Sequence, residues 1–275
     1  MKGLQNKTPH AWLIIAHNEF EVLQRLIDSL DAAGSDFYVH IDRKVKELPV
    51  LKVTKGRLFM LQDRVDVRWG TVSQIKAELV LLETALANGP YHHYHILSGT
   101  HLPLKPVNEL LSFYESHPEE EVMRLWKKDE GDADFKLRRY HFPVRYIKSN
   151  GHSFRKNMDN LTWKANLKVQ KSLGIRHYTK EQFLKTDNWM SLTEKACCYL
   201  VDNRVAILKK YKWSFCGDEY FVATELSKLP AFRILDCKNL LYVEFQGDTP
   251  KAFSLNDYSQ LQATGCLWAR KFTCR

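Results

Sequence analysis

The sequence predicts an α/β protein built on one central, mixed but mostly parallel sheet flanked by helices. Short apolar runs alternate with segments of helical period through the first hundred or so residues. Strand, helix and strand follow one another within about thirty residues, the span of a βαβ unit. There are no repeats and no low-complexity linker, so a single domain is the simplest organisation.

Trp12–Ala16 is an apolar run closed by His17 and Asn18, as in a central parallel strand. Residues 21–33 place Val22, Leu23, Leu26, Ile27 and Leu30 on one helical face, and Gly34 stops them. Residues 36–42 form a second strand ending in Asp42, and 58–61 a third. Residues 72–86 are an amphipathic helix ended by Asn88, Gly89 and Pro90, and 93–97 a fourth strand closed by Ser98 and Gly99. Residues 124–174 are rich in Lys, Arg, His, Asn and aromatics, with weak periodicity. They read as an irregular insertion with a basic helix from 157 to 173, exposed at a cleft edge. Beyond it are expected a strand at 188–192, a helix at 194–209, a helix opened by Asp218 and Glu219 and running to Leu226, and a strand at 240–245.

The chain has 275 residues, 44% hydrophobic and 27% charged, with 41 basic against 32 acidic residues and a net charge of +9. That balance favours anionic partners: nucleic acid, an acidic membrane surface or phosphorylated substrates. No basic run with interleaved aromatics tracks a nucleic-acid backbone, so no nucleic-acid partner is expected. No apolar stretch is long enough to span a bilayer, and residues 1–10 lack the apolar core of a signal peptide, so the expected place is the cytoplasm. The six cysteines show no Cys-x-x-Cys spacing and are expected to be reduced, with no zinc site. His92, His93 and His95 read as ordinary strand-entry histidines rather than metal ligands.

Ligands in open α/β sheets bind beyond the carboxyl ends of parallel strands, which draws attention to His17, Asp42 and Ser98–Gly99. Asp42 could accept from nucleotide hydroxyls or cap the turn before Arg43 and Lys44. Neither a Gly-x-Gly-x-x-Gly nor a Gly-Lys-Ser/Thr loop is present, which disfavours dinucleotide and phosphate-loop chemistry. Trp69, just ahead of a helix, suits either a nucleobase platform or a core position. Asp218 and Glu219, followed by cations at Lys251, Arg270 and Lys271, offer a general base and a charge clamp for a departing diphosphate. The nearest approaches to a metal-binding Asp-x-Asp are Asp63 to Asp66 and the pair Asp132 and Asp134, the latter in a charged stretch read as a loop.

Six motifs occur in order: residues 38–42, Val67-Arg68-Trp69-Gly70-Thr71-Val72-Ser73, Leu97-Ser98-Gly99-Thr100-His101-Leu102-Pro103-Leu104, residues 188–193, Gly217-Asp218-Glu219-Tyr220-Phe221 and Leu267-Trp268-Ala269-Arg270-Lys271-Phe272. Together they resemble the core-2/I-branching β-1,6-N-acetylglucosaminyltransferases and the related xylosyltransferases. The resemblance implies a GT-A-type fold, with a nucleotide-binding half at about residues 11–105 and an acceptor and catalytic half at about 106–275. It also implies an inverting glycosyltransferase that needs no metal and no other cofactor. The donor would be a UDP-sugar, UDP-GlcNAc foremost. The acceptor would be a glycan or lipid-linked glycan.

Glu219 resembles the family's catalytic base, with Gly217 replacing the motif's proline. Lys271 and Lys251 match diphosphate-binding cations, Lys251 standing where arginine is usual, and Arg270 falls in the same motif as Lys271. Ala16, Asp42 and Trp69 match the nucleotide-binding positions, and Phe245, Trp189 and Asp218 are expected on the acceptor side. The family's Golgi members carry an anchor and disulfides. This sequence resembles instead a soluble bacterial member making surface polysaccharide, with peripheral contact at the inner face of an anionic membrane. A metal-dependent transferase using Asp132 and Asp134 and a non-catalytic nucleotide- or glycan-binding module are the competing readings.

Overall fold

The computed structural model describes residues 9–142, 144, 154–247 and 249–274, with Arg155 described by its backbone alone. The reading of the extreme N-terminus and the middle of the 124–174 insertion lie outside these residues. In chain order the first half contains β1 His10–Ala16, α1 Phe20–Leu30, β2 Ser35–Ile41, β3 Arg57–Met60, α2 Ser73–Leu86, β4 Tyr94–Ser98, β5 Leu102–Pro103, α3 Val107–Glu115 and β6 Glu120–Met123. The second half contains α4 Glu130–Leu137, α5 Phe154–Ser172, β7 Met190–Leu192, α6 Glu194–Asp202, α7 Arg204–Tyr211, a 3-10 turn at Gly217–Glu219 and α8 Phe221–Leu226. It closes with β8 Arg233–Asp236, β9 Leu241–Tyr242, β10 Phe245–Gln246, β11 Thr249–Pro250, a second 3-10 turn at Leu255–Asp257, α9 Tyr258–Gln262 and β12 Trp268–Ala269.

The main sheet has seven strands in the order β3-β2-β1-β4-β7-β6-β8. All its pairings are parallel except those of β7 with β4 and β6, so the sheet is mixed and mostly parallel, as expected. Because strand side chains alternate, β1 feeds both faces: Leu13 packs with α2, α6 and α8, while Trp12 and Ile14 pack with α1, α3 and the C-terminal segment. Both faces are apolar, which explains why β1 and β2 read as continuous hydrophobic runs. A three-stranded sheet, β5-β12-β9, brings the C-terminus back over the middle of the chain.

The structure corrects several element boundaries. The helix expected over 194–209 is two helices meeting at Asn203, whose side chain donates to the Tyr199 carbonyl (2.8 Å) and competes with the helical ladder. The strand expected over 240–245 is divided between β9, which pairs with β12, and β10, which turns back into a hairpin with β11. Asp132 and Asp134 lie in α4 rather than in a loop, because Asp129 caps that helix by accepting the Asp132 amide (3.0 Å). The basic helix begins at Phe154, and Asp218 and Glu219 sit in a 3-10 turn ahead of α8. All six cysteines are free thiols. His93 and His95 are buried and stack with His10, and His10 Nδ1 lies 2.9 Å from His95 Nε2.

Candidate active site

The site begins where β1, β2 and β4 end. Ala16 is buried, and its carbonyl accepts the Asp42 amide (2.9 Å). Gly99, just past β4, lies so close that a Cβ there would stand 2.7 Å from the Ala16 methyl. Asp42 accepts the Lys44 amide at 2.8 Å and the Lys44 ammonium at 2.6 Å, so it does cap the turn, one of the two roles open to it. Lys44 reaches on to Asp66 (3.1 Å) and the Val67 carbonyl (2.5 Å), tying Asp42 to the next loop. Two residues further on, Trp69 is 41% exposed and stands edge-on to Phe215 (5.1 Å between centroids). His17 is exposed at the end of β1. Its pKa is lowered by desolvation and by the ammoniums of Lys271 and Lys44, against the pull of Asp42.

The Trp69 loop is stitched to the acid-bearing turn, because the Cys216 amide donates to the Gly70 carbonyl (3.0 Å). Gly217 has no room for a side chain, since a Cβ there would collide with Ser214 Oγ. Packing and backbone hydrogen bonds therefore hold the turn. Glu219 is half-buried. Its Oε2 lies 2.7 Å from the Lys136 ammonium and 3.7 Å from that of Lys185. Burial pulls the Lys136 pKa down, but Glu219 outweighs it and the net shift is upward. The same lysines hold Asp132 (3.3 and 2.7 Å), which also accepts the Tyr220 hydroxyl (2.5 Å). Burial pushes Asp132 up, and these donors bring it below the ordinary carboxylate range. Asp134 pairs instead with Arg139 (3.2 Å) and Arg176 (2.9 Å).

Asp218 is only 3% exposed; Asn188 donates to its Oδ2, and its Oδ1 has no hydrogen-bond partner among the described residues. Burial, then the charge of Glu219, pushes this carboxyl up to about 7, against the Asn188 hydrogen bond. Glu78, from α2, is also buried and raised well above its ordinary value by burial and by Asp218. Asp218, expected on the acceptor side, is thus buried next to Glu219 and held by Asn188.

Residues 186–189 connect this acid cluster to the C-terminal cations. The Thr186 amide donates to the Glu219 carbonyl (2.8 Å), and Asp187 accepts the Arg124 fork (2.7 and 3.0 Å). Trp189 meets the His101 ring edge-on (4.9 Å), and the Arg270 guanidinium lies over it at 5.0 Å. Burial lowers Arg270 to about 10, opposed by Asp187, and its Nε is without a partner among the described residues. The Lys271 carbonyl accepts the Phe253 amide (2.8 Å), while its ammonium acts on His17 at the β1 end. Lys251 stands apart with Glu244 (3.0 Å), just after β11. Phe245, on the same hairpin, is 51% exposed.

Sequence reasoning missed Lys136, Lys185, Asn188 and Glu78. Of these, Glu78 had a legible signal: it is an acid on the apolar face of α2, flanked by Ile75 and Leu82. Asn188 lay within a quoted motif, but its partner is 30 residues away. Lys136 and Lys185 had no sequence signal that separated them from solvated lysines.

Glu219 is a carboxylate on a braced turn, paired with Lys136 and bonded through its turn to the Trp69 loop. Residues 10–263 match the family model described as "Branch: Core-2/I-Branching enzyme", so the chain belongs to that family and is a glycosyltransferase. The match includes Glu219 and stops short of Arg270 and Lys271. No curated protein matches the chain.

Proposed function

We propose that the protein moves a sugar, GlcNAc foremost, from a UDP-sugar to a hydroxyl of a glycan or lipid-linked glycan, with inversion and without metal. The setting is bacterial surface polysaccharide synthesis at the inner face of the membrane. The acceptor oxygen attacks the anomeric carbon on the side opposite the diphosphate. Glu219 takes the hydroxyl proton as the bond from that carbon to the diphosphate oxygen breaks. Lys271 and Arg270 meet the charge gained by the leaving UDP, with Lys251 at the rim. Asp42 and Trp69 hold the uridine above Ala16, while Phe245 and Trp189 border the acceptor.

The observation that carries this reading is the Glu219 carboxylate fixed 2.7 Å from Lys136, on a turn bonded to both the Trp69 loop and the 186–189 segment. Asp132 and Asp134 serve separate sets of cations, which favours the cationic clamp over the metal-dependent alternative. Glu219→Gln should lower transfer by about a hundred- to ten-thousandfold, with UDP affinity changed less than about threefold. A folded Glu219→Gln protein that retains near-normal turnover removes Glu219 from the base role.

A further inference from the structure

Helix α5 is amphipathic in the inverted sense. Its inward side is polar and aromatic: Asn166 and Gln170 both donate to the Tyr140 carbonyl (3.0 and 2.8 Å), and Trp163 donates to His141 Nδ1 (2.9 Å). Its outward side is apolar. Phe154, Met158, Leu161, Ala165 and Val169 recur at spacings of four, three, four and four residues, which puts them on one stripe of a 3.6-residue helix. Phe154 is 79% exposed, Leu161 66% and Val169 52%, and Leu173 beyond the helix end is 68% exposed. A soluble helix ordinarily shows the reverse arrangement. Contiguous exposed apolar surface of this kind marks an interaction site.

Charge identifies the partner. Lys164, Lys168 and Lys171 are all exposed along one border of the stripe. The only acid between Phe154 and Leu173 is Asp159, which is half-buried and lies off the stripe. A second copy packed here would bring cations against cations with no acid to answer them. Apolar side chains beside lysines with long, flexible stems suit the boundary between acyl chains and anionic headgroups. Phe142, whose carbonyl accepts from Asn166 (3.3 Å), and Trp213 extend the exposed aromatic surface next to the helix. We infer that α5 docks the enzyme on an anionic lipid bilayer, lying in the interface plane with its Phe154–Val169 stripe inserted. This extends the membrane-side setting proposed above by naming the surface.

The test is co-sedimentation with phosphatidylcholine vesicles, with and without phosphatidylglycerol. Wild-type protein should bind the anionic vesicles roughly a hundredfold more tightly, and added salt should weaken the binding. Leu161→Asp/Val169→Asp should lose at least about tenfold in binding, since each change removes buried apolar contact. Its melting temperature and its turnover on a soluble acceptor should not change. Lys164→Glu/Lys168→Glu should abolish the preference for anionic vesicles. Wild-type protein that ignores both vesicle types overturns the membrane setting as well as the surface. Wild-type binding that both variants retain overturns the surface alone. A concentration-dependent dimer that Leu161→Asp/Val169→Asp dissolves gives the stripe to a second copy instead.

Discussion

Folding changes the chemistry of Asp218. An aspartate with an ordinary pKa of 3.8 rises to about 7 because it is buried beside Glu219. Between these values the folded protein keeps a proton that the unfolded chain has released. Stability therefore falls as pH rises from about 4 to 7, and the penalty is complete above 7. Asp218→Asn removes the titration while still accepting from Asn188. The variant should be more stable than wild type at pH 8 by about 1–3 kcal/mol, and most of the advantage should be gone by about pH 4. Urea melts at the two pH values measure this. An equal difference at both would mean that Asp218 does not titrate in that window. The sequence does not show the surroundings that separate the two acids: Asn188 donates to Asp218, and Lys136 meets Glu219.

Among the elements, the strand ends carry the proposed nucleotide side, and they do so by close backbone approach. Gly99 must be small because Ala16 fills the space next to it, with Leu23 behind (3.6 Å). Gly99→Ala should force the β4 turn away from the end of β1, costing about 1–3 kcal/mol in stability. UDP binding, measured by calorimetry, should weaken with it. Unchanged melting together with unchanged UDP affinity would show that this approach does not shape the nucleotide end. The strands and helices up to β4 were legible because their signals are local: a run of apolar residues or a 3.6-residue period reports its own structure. Shorter elements were not. The strand expected over 240–245 was divided because β9 follows β12 while β10 folds onto β11, a choice made by partners that the segment itself does not contain.

For the molecule as a whole, the net charge of +9 is spread over several regions. Some cations face the end of the parallel sheet, others hold the acids of α4 and the Gly217–Glu219 turn, and others border the apolar stripe of α5. If Lys271 and Arg270 neutralise the leaving diphosphate, transfer should persist in excess EDTA at close to its untreated rate. A UDP-release assay with and without chelator decides this. Activity that disappears and returns on adding manganese would move the charge-stabilising role to a metal, with Asp132 and Asp134 the first ligands to examine.

The sequence by itself determined the class of fold and the family, since each is written in contiguous residues, alternating periods and ordered motifs; for the acid at Glu219 it supplied a candidate. Only the tertiary structure decided what surrounds that acid. Lys136 reaches Glu219 across 83 residues, Asn188 reaches Asp218 across 30, and Glu78 approaches from a helix in the other half of the chain. Such contacts leave no periodicity in the chain. They exist because the packed layers of the sheet bring distant side chains into one low-dielectric volume, where burial and neighbouring charge set which carboxyl keeps its proton.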